Sequence, residues 1–403
     1  MSSTLTTAAG LLKEVYEEEV RDQTVKEAVT IKRITRTAEN IMETAGGKYV
    51  VFPVRKHRNE GISYRPENTR LGNARKAGYS QAQETLRYGY GRIRITGQLM
   101  ELANSKPKAF INAVDDEVSG MKDGLIRDSN RIAVGNRSAF AIVGATGILA
   151  RSTGSSTGTS ITVADTSFIS LDMCVDLVDN SGVPVAGGTE RIVTSITSDT
   201  VFVVDSAVAG VVSGTNVVRS GNFNNEPYGV LNLIGDSGTI HGINSGTAGN
   251  EWWKSYADSS TTTLTEPAMI ANCDRIRKKG GGHITAIFAS LGVRRAYFNL
   301  MTSLRRYNEP KEFVGGLVGL SFNYEKEVPF VSDIDYPAST MALINEDEFS
   351  VYRPREWYWA DDDGQMLKWV SDYDSWEALM KQYWQIVCHR RNGHAIMTTV
   401  TEA

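Results

Sequence analysis

The sequence predicts an α+β chain built from several units, on three observations. Residues 105–135 carry Phe110, Val114, Val118, Met121, Leu125 and Ile132 at helical spacing. From residue 151 to 221 the composition turns to Ser, Thr, Gly and Val in short runs, as in a small all-β module. After residue 265 helix and strand patterns alternate. The 403 residues also exceed the roughly 250–300 at which a single core stops growing, so more than one core is expected.

Bulk properties narrow the function. The formal net charge is −4 and hydrophobic residues make up 41%. That is enough for real cores and lacks the basic excess usual in chains devoted to nucleic acid. Cys174, Cys273 and Cys388 are odd in number and far apart, which fits a reduced compartment and gives no metal-ligand spacing. Glu17, Glu18 and Glu19 stand where a signal peptide would need an apolar run. The longest mostly apolar stretch, residues 139–150, is broken by glycine and too short to span a bilayer. A soluble protein made in the cytosol, with no membrane partner, is expected.

Element by element, residues 1–47 read as a helical N-terminal arm, with helical spacing from 9 to 45 on a thin apolar stripe among many charges. Residues 48–103 form an extended segment. YVVFPV (49–54) and RIRIT (92–96) are strand-like, and RIRIT is cationic on one face and apolar on the other. Between them lie about thirty residues with Gly61, Pro66, Gly72 and Gly78. So long a structureless loop does not suit a compact interior, so a hairpin arm lying on a neighbour is expected. Residues 104–150 begin with one long helix, Ser105 as cap and Pro107 in the first turn, a rod of roughly 45 Å.

The inserted module (151–221) has strand runs at SITVADTSFI, MCVDLVD, TERIVTSI and TVFVVDS. In residues 222–348, Thr265 and Pro267 start a helix that stops at Gly280-Gly281-Gly282. Strand HITAIFAS, helix LGVRRAYFNLMTSL and strands VPFVSD and MALINE follow. Residues 349–403 open with a hairpin expected to turn at Asp363-Gly364, and QYWQIVCHRRNGHAIMTTV supplies two more strands.

Catalytic patterns are weak. Gly154-Ser155-Ser156-Thr157-Gly158 spells a nucleophile elbow, but it sits in a Ser/Thr/Gly turn without the strand and helix the motif needs. Gly89-Tyr90-Gly91 lacks the third glycine of a dinucleotide site. Cys388, His389 and His394 have no fourth ligand nearby. Asp361-Asp362-Asp363-Gly364 has Val370 where a calcium loop places glutamate. The cluster Trp357, Tyr358, Trp359, Trp369, Trp376, Tyr383 and Trp384 reads as packing. No catalytic, cofactor or metal site is expected, with an unrecognised hydrolase using Ser156 as the remote alternative.

Charge is segregated. Residues 48–103 hold eleven Lys/Arg and four Glu, a balance of +7. Residues 325–377 hold fourteen acids and four bases, a balance of −10. The chain thus carries its own anionic partner for the arm. Contact between copies is expected through Arg55, Lys56, Arg58, Arg65, Arg70, Arg75 and Lys76 on one side and Asp361, Asp362, Asp363, Asp372 and Asp374 on the other. Nucleic-acid binding by the arm is the alternative.

The order of these parts resembles the major capsid proteins of tailed bacteriophages, the Hong Kong phage fold. Gly47-Lys48-Tyr49-Val50-Val51-Phe52-Pro53 is similar to the passage from arm to extended loop, and RYGYGRIRITGQLMELA (87–103) to the return of that loop. Residues 105–135 resemble the spine helix. PYGVLNLIG (227–235) and residues 265–301 resemble the axial domain. VPFVSDIDYPASTMALINEDEF (328–349) and RRNGHAIMTTV (390–400) look like the return to the peripheral domain. The module at 151–221 goes beyond the minimal fold, and no scaffolding segment is expected ahead of residue 1. The resemblance implies a non-enzymatic subunit of hexamers and pentamers that close an icosahedral shell around double-stranded DNA. It implies scaffolding and portal partners, a decoration protein, and a place in the virion after synthesis in the host cytoplasm. An encapsulin-like compartment is the related alternative.

Overall fold

The computed structural model describes residues 27–36, 38–43, 49–98, 107–135, 145–305, 320–361, 364 and 366–403, with backbone only at 38, 43, 107–116 and 303–305. Most of the expected N-terminal helix therefore lies outside the described residues. What is described is shorter than expected: one helical turn at Thr30–Ile34, then strand β1 (Ile41–Glu43). Ile41 and Met42 are not helical. They alternate half-buried and exposed along the edge of strand β18 (Phe349–Arg353), with Ile41 opposite Val351. A sheet edge offers the backbone groups of this segment partners that a frayed helix end lacks.

Strands β2 (Val50–His57) and β3 (Gly78–Glu84) form an antiparallel hairpin on their own, Val50 opposite Glu84. The partner of YVVFPV is thus β3, which has few apolar residues to announce it. Strand β4 (Arg87–Thr96) instead pairs with β21 (Ser375–Cys388) over ten residue pairs, from Thr96–Ser375 to Arg87–Trp384. Its alternation is as expected: Gly91, Ile93 and Ile95 are buried, and Arg92 and Arg94 exposed. The long helix Pro107–Val134 has 28 residues, a rod of about 42 Å. It crosses the buried face of β4. A Cβ at Gly91 would stand 2.9 Å from Met121 Sδ and 3.0 Å from Leu125 Cδ1, so a larger residue here would have to displace these side chains.

The Ser/Thr/Gly-rich region forms a six-stranded antiparallel sheet with its own core, which includes Leu149, Ile161, Val175, Leu177, Phe202 and Val217. The strands are β5 (Ile148–Arg151), β6 (Ser160–Thr162), β7 (Cys174–Val178), β8 (Arg191–Ser198), β9 (Val201–Val204) and β10 (Asn216–Arg219), in the order β5-β10-β7-β8-β9-β6. The sequence pattern did not reveal β5 and β10, and these two close the unit. They pair with each other, Arg151 opposite Asn216.

Beyond the small hairpin β11 (Thr239–Ile240) and β12 (Ile243–Asn244) comes a mixed sheet. Its strands are β13 (Tyr256–Asp258), β14 (Ala286–Ala289), β15 (Ser321–Tyr324), β16 (Lys326–Ser332), β17 (Met341–Ile344) and β22 (Ala395–Met397), ordered β13-β22-β17-β14-β16-β15. Helix Glu266–Gly280 begins where expected: Thr265 Oγ1 accepts from Ala268 N, and Gly281 ends it at φ 61° in the left-handed region. With helix Leu291–Arg305 it covers one face of the sheet, burying Met269, Cys273, Ile276, Val293 and Tyr297. The other face meets Ile34, Ala133, Val134, Val230 and Leu233 in a core that also takes Phe349, Val351, Trp384 and Ile386 from the β18–β21 sheet.

The expected hairpin around Asp363-Gly364 is not formed. Strands β18, β19 (Tyr358–Trp359) and β20 (Lys368–Trp369) each pair with β21 instead of with one another. With fourteen residues, β21 offers two full edges, so the three short strands share one and β4 takes the other. Asp362 and Asp363 lie outside the described residues. The turn itself survives, since Gly364 N donates to Asp361 O at 2.7 Å with Gly364 at φ 76°. Among the described residues no helix is long and apolar enough to cross a membrane.

Candidate inter-subunit surfaces

Among the described residues the β2–β3 hairpin is anchored at its base. Phe52 and Ala82 are buried there with Ile243, Trp253 and Val387. Beyond His57 the chain has no regular secondary structure until Gly78, and residues 58–71 are all exposed. Ile62, Tyr64 and Leu71 are 69%, 97% and 83% exposed. Burying one such side chain contributes about 1.5–3 kcal/mol, and this chain leaves three of them in water on one projection. Contiguous exposed apolar groups of this kind mark contact surfaces.

The predicted cations lie on the same projection. Arg55, Arg58, Arg65, Arg70, Arg75 and Lys76 are exposed, and Lys56 is half-buried. Arg58 is occupied locally, its Nε 2.6 Å from Glu60 Oε1. That contact raises the Arg58 pKa and lowers that of Glu60, mainly through the shared hydrogen bond.

The acidic tract is less free than its sequence balance of −10 suggests. Glu346 pairs with Arg33 (2.8 Å), Glu356 with Arg353 (2.6 Å) and Glu348 with Arg390 (3.9 Å). Glu377 pairs with Arg92, and Glu325 with Arg277. Asp333 and Asp335 are fully buried in a network that ties three segments together. In it Thr30 N and Oγ1 donate to Asp333 at 3.0 and 2.6 Å, Asn130 Nδ2 bridges Asp333 and Asp335, and Arg127 holds Asp335. What stays exposed includes Asp361, Asp372 and Asp374, with Asp372 in a left-handed turn at φ 70°.

The surface these acids border was not anticipated. One face of the β4–β21 sheet lies under the long helix and the other is open. On the open face Tyr88 and Tyr383 meet edge to face at 5.0 Å, with Tyr90 at 6.3 Å from Tyr383. Lys381 lies 5.3 Å from the Tyr358 ring centroid. At its end Arg94 stacks over Tyr373 at 4.4 Å, and Gly97 N donates to Asp374 O, which brings the acidic β20–β21 turn alongside. The useful sequence signal was the tyrosine at every second position before RIRIT. Trp384 is core, as expected of the aromatic cluster, whereas Trp369 is exposed and meets Trp376 edge to face.

The catalytic patterns are not assembled into sites. Ser156 Oγ donates to Ser160 O in a turn, with neither a histidine partner nor a following helix. Cys388 Sγ and His394 Nε2 are 3.4 Å apart but fully buried. Burial pushes the Cys388 thiol up to about 12 and lowers the His394 imidazole to about 3, so both stay neutral. His389 shares its Nε2 with Ser350 Oγ. Among the described residues no group of His, Cys, Asp and Glu could hold a metal.

No family model matches the sequence, and no curated protein matches it either. Among solved structures, the chain is similar to the capsid asymmetric unit of cyanophage A-1(L), at TM-score 0.61 and 13% identity, covering 99% of this chain and 100% of that one. It is also similar to the capsid of a native GTA particle, at TM-score 0.50 and 8% identity over 99% of both chains. A holo-SrpI encapsulin complex from Synechococcus elongatus PCC 7942 matches at TM-score 0.46 and 9% identity, over 99% of this chain and 96% of that one, too low to bear on function. Mixed helix and sheet throughout, the chain has the phage capsid fold.

Proposed function

We propose that this chain is the major capsid protein of a tailed phage. Identical copies form hexamers and pentamers that close an icosahedral shell around double-stranded DNA, enclosed without sequence preference. Scaffolding and portal proteins and a decoration protein are the expected partners, and the working location is the virion. The long helix is the spine, the β2–β3 hairpin the extended loop, the β18–β21 sheet the peripheral domain and the β13–β17 sheet with its helices the axial domain. The Ser/Thr/Gly-rich unit is an insertion. No reaction is assigned.

The observation that carries the reading is the projecting hairpin with Ile62, Tyr64 and Leu71 uncovered, on a chain with the capsid fold. A lone subunit has no use for it, whereas a neighbour buries it. We assign its landing place to the open β4–β21 face of the next copy, with the apolar side chains against Tyr88, Tyr90 and Tyr383. Arg65, Arg70, Arg75 and Lys76 then face Asp361, Asp362, Asp363, Asp372 and Asp374 at the rim.

Electron microscopy and sedimentation of the expressed chain, alone and with its scaffold, test the reading. Closed or partly closed shells are expected. A stable monomer at every concentration, scaffold included, refutes it. The landing place is tested by reversing Arg75 and Lys76 to Glu. Each exposed pair contributes only about 0–1 kcal/mol, but the pairs recur at every boundary. Shell closure should fail at low salt while the subunit stays folded, and recover partly near 1 M salt, where the screening length is about 3 Å. Normal closure at low salt means the charge is incidental.

A further inference from the structure

We propose that the turn His241-Gly242 is a lock at the base of the β2–β3 hairpin, and that protonation of His241 releases it from strand β21.

The turn joins β11 to β12, Ile240 opposite Ile243, with His241 at φ 51° and Gly242 at φ 76°. Both central residues of this two-residue loop are left-handed, a conformation glycine adopts freely and histidine only under constraint. The constraint is visible. His241 is 1% exposed and is bonded on three sides. Its carbonyl accepts from Gln83 N at 3.1 Å, which fixes β3. Its Nδ1 lies 3.2 Å from Glu84 Oε2, on the same strand. Its Nε2 accepts from Cys388 N at 3.2 Å. Strand β4 ends its pairing with β21 at Trp384, so beyond that point the edge of β21 needs another acceptor, and the imidazole supplies it. Phe52 of β2 is edge-on to both His241 (5.7 Å) and His389 (4.9 Å), so the ring position sets where the hairpin base sits.

These bonds define the tautomer. Because Nε2 accepts, the proton is on Nδ1 and is donated to Glu84. A second proton must go to Nε2, where it meets the Cys388 N–H head on. The Nδ1–Glu84 bond strengthens and the Nε2–Cys388 bond is lost. Histidine turn and hairpin then move together, away from β21. The other groups facing the ring are Arg391, which repels the cation, neutral His389 just past the end of β21, and Tyr228, whose ring is 5.9 Å away. Burial, more than Arg391, lowers the His241 pKa below the usual histidine range, against the pull of Glu84. The neutral, locked form therefore holds at neutral pH. A depressed histidine pKa means that the opened state binds more protons, so the lock weakens as pH falls below about 6.5.

Hydrogen exchange of the full chain, corrected for intrinsic rates, reads this at the Cys388 amide. Its protection should fall about tenfold per pH unit below about 6.5. The same fall is expected in His389→Gln and none in His241→Gln, which can accept the amide but not titrate. Should His241→Gln fail to fold, Glu84→Gln serves. It removes the one acidic neighbour that holds the proton affinity of the locked state up, so the fall should continue to lower pH before levelling. Protection that does not change in acid overturns the proposal. So does an equal fall in His241→Gln, or levelling at the same pH in Glu84→Gln.

Discussion

Arg131 sits buried where the long helix meets the stem of the β5–β10 unit. Its Nε donates to Asp128 Oδ1 and its Nη2 to Glu226 Oε1, both at 2.8 Å. Arg219 Nη2 is 3.6 Å from Asp128, and Asn222 Nδ2 donates to Glu226 at 2.8 Å. Arg131→Met keeps the stem of the side chain and removes the charge. Breaking a buried pair in this way costs about 3–5 kcal/mol, because a carboxylate is left without its cation. Among the described residues Asp128 keeps Arg219 and Glu226 keeps an amide, so a loss of about 3–4 kcal/mol is expected, mostly from Glu226. Arg131→Met with Glu226→Gln should recover a good part of it. The pH response separates this cause from simple loss of packing. In the native chain burial opposes ionisation of Asp128, but Arg131 and Arg219 outweigh it and hold its pKa low. A lowered carboxyl pKa stabilises above the unfolded value of about 3.9, and that stability is lost only as pH falls through the folded value. Without Arg131 only Arg219 and Arg127 oppose the burial of Asp128, so the variant should lose less stability than the native chain as pH falls below about 3.9. Urea unfolding followed by the fluorescence of Trp357 and Trp384, which line one cleft with Asp128 and Glu226, gives the numbers. A cost under about 1 kcal/mol, or a variant with the wild-type pH slope, refutes the argument.

Two further outcomes follow from the same geometry. Because Arg151 and Asn216 are paired neighbours on adjacent strands, a short Gly/Ser linker between them should replace residues 152–215 while the rest folds; loss of the circular-dichroism signature of the remainder would show that the unit shares its core. Asp258 accepts from Ser260 N, Thr261 N, Thr261 Oγ1 and Asn272 Nδ2. Burial raises its pKa, but these donors bring it down to about 2. Its contribution, about 2 kcal/mol, should be present above pH ~3.9 and lost as pH falls toward 2. Asp258→Asn should abolish that acid limb in thermal melts, and a variant that keeps the limb excludes Asp258 as its source.

The sequence by itself determined what depends on near neighbours. The long helix, the Thr265 cap and Gly281 stop, the alternation of RIRIT and the composition break near residue 151 are all local, set by side-chain period and backbone preference within a few residues. Even the projecting arm was legible, because a long polar stretch broken by Gly61, Pro66, Gly72 and Gly78 does not suit an interior. Only the tertiary structure decided which strands meet. β2 chose β3, β4 chose β21, and the strands flanking Asp363-Gly364 each paired with β21 rather than with one another, since pairing depends on which edge remains free after the cores close. The same holds for charge. Glu346, Glu377, Asp333 and Asp335 count toward an acidic surface in the sequence, yet the fold pairs or buries each of them. His241 shows no pattern in its local sequence. Its role exists because two segments far away in the chain, β3 and the end of β21, present a backbone N–H with a carboxylate and a second backbone N–H to one residue.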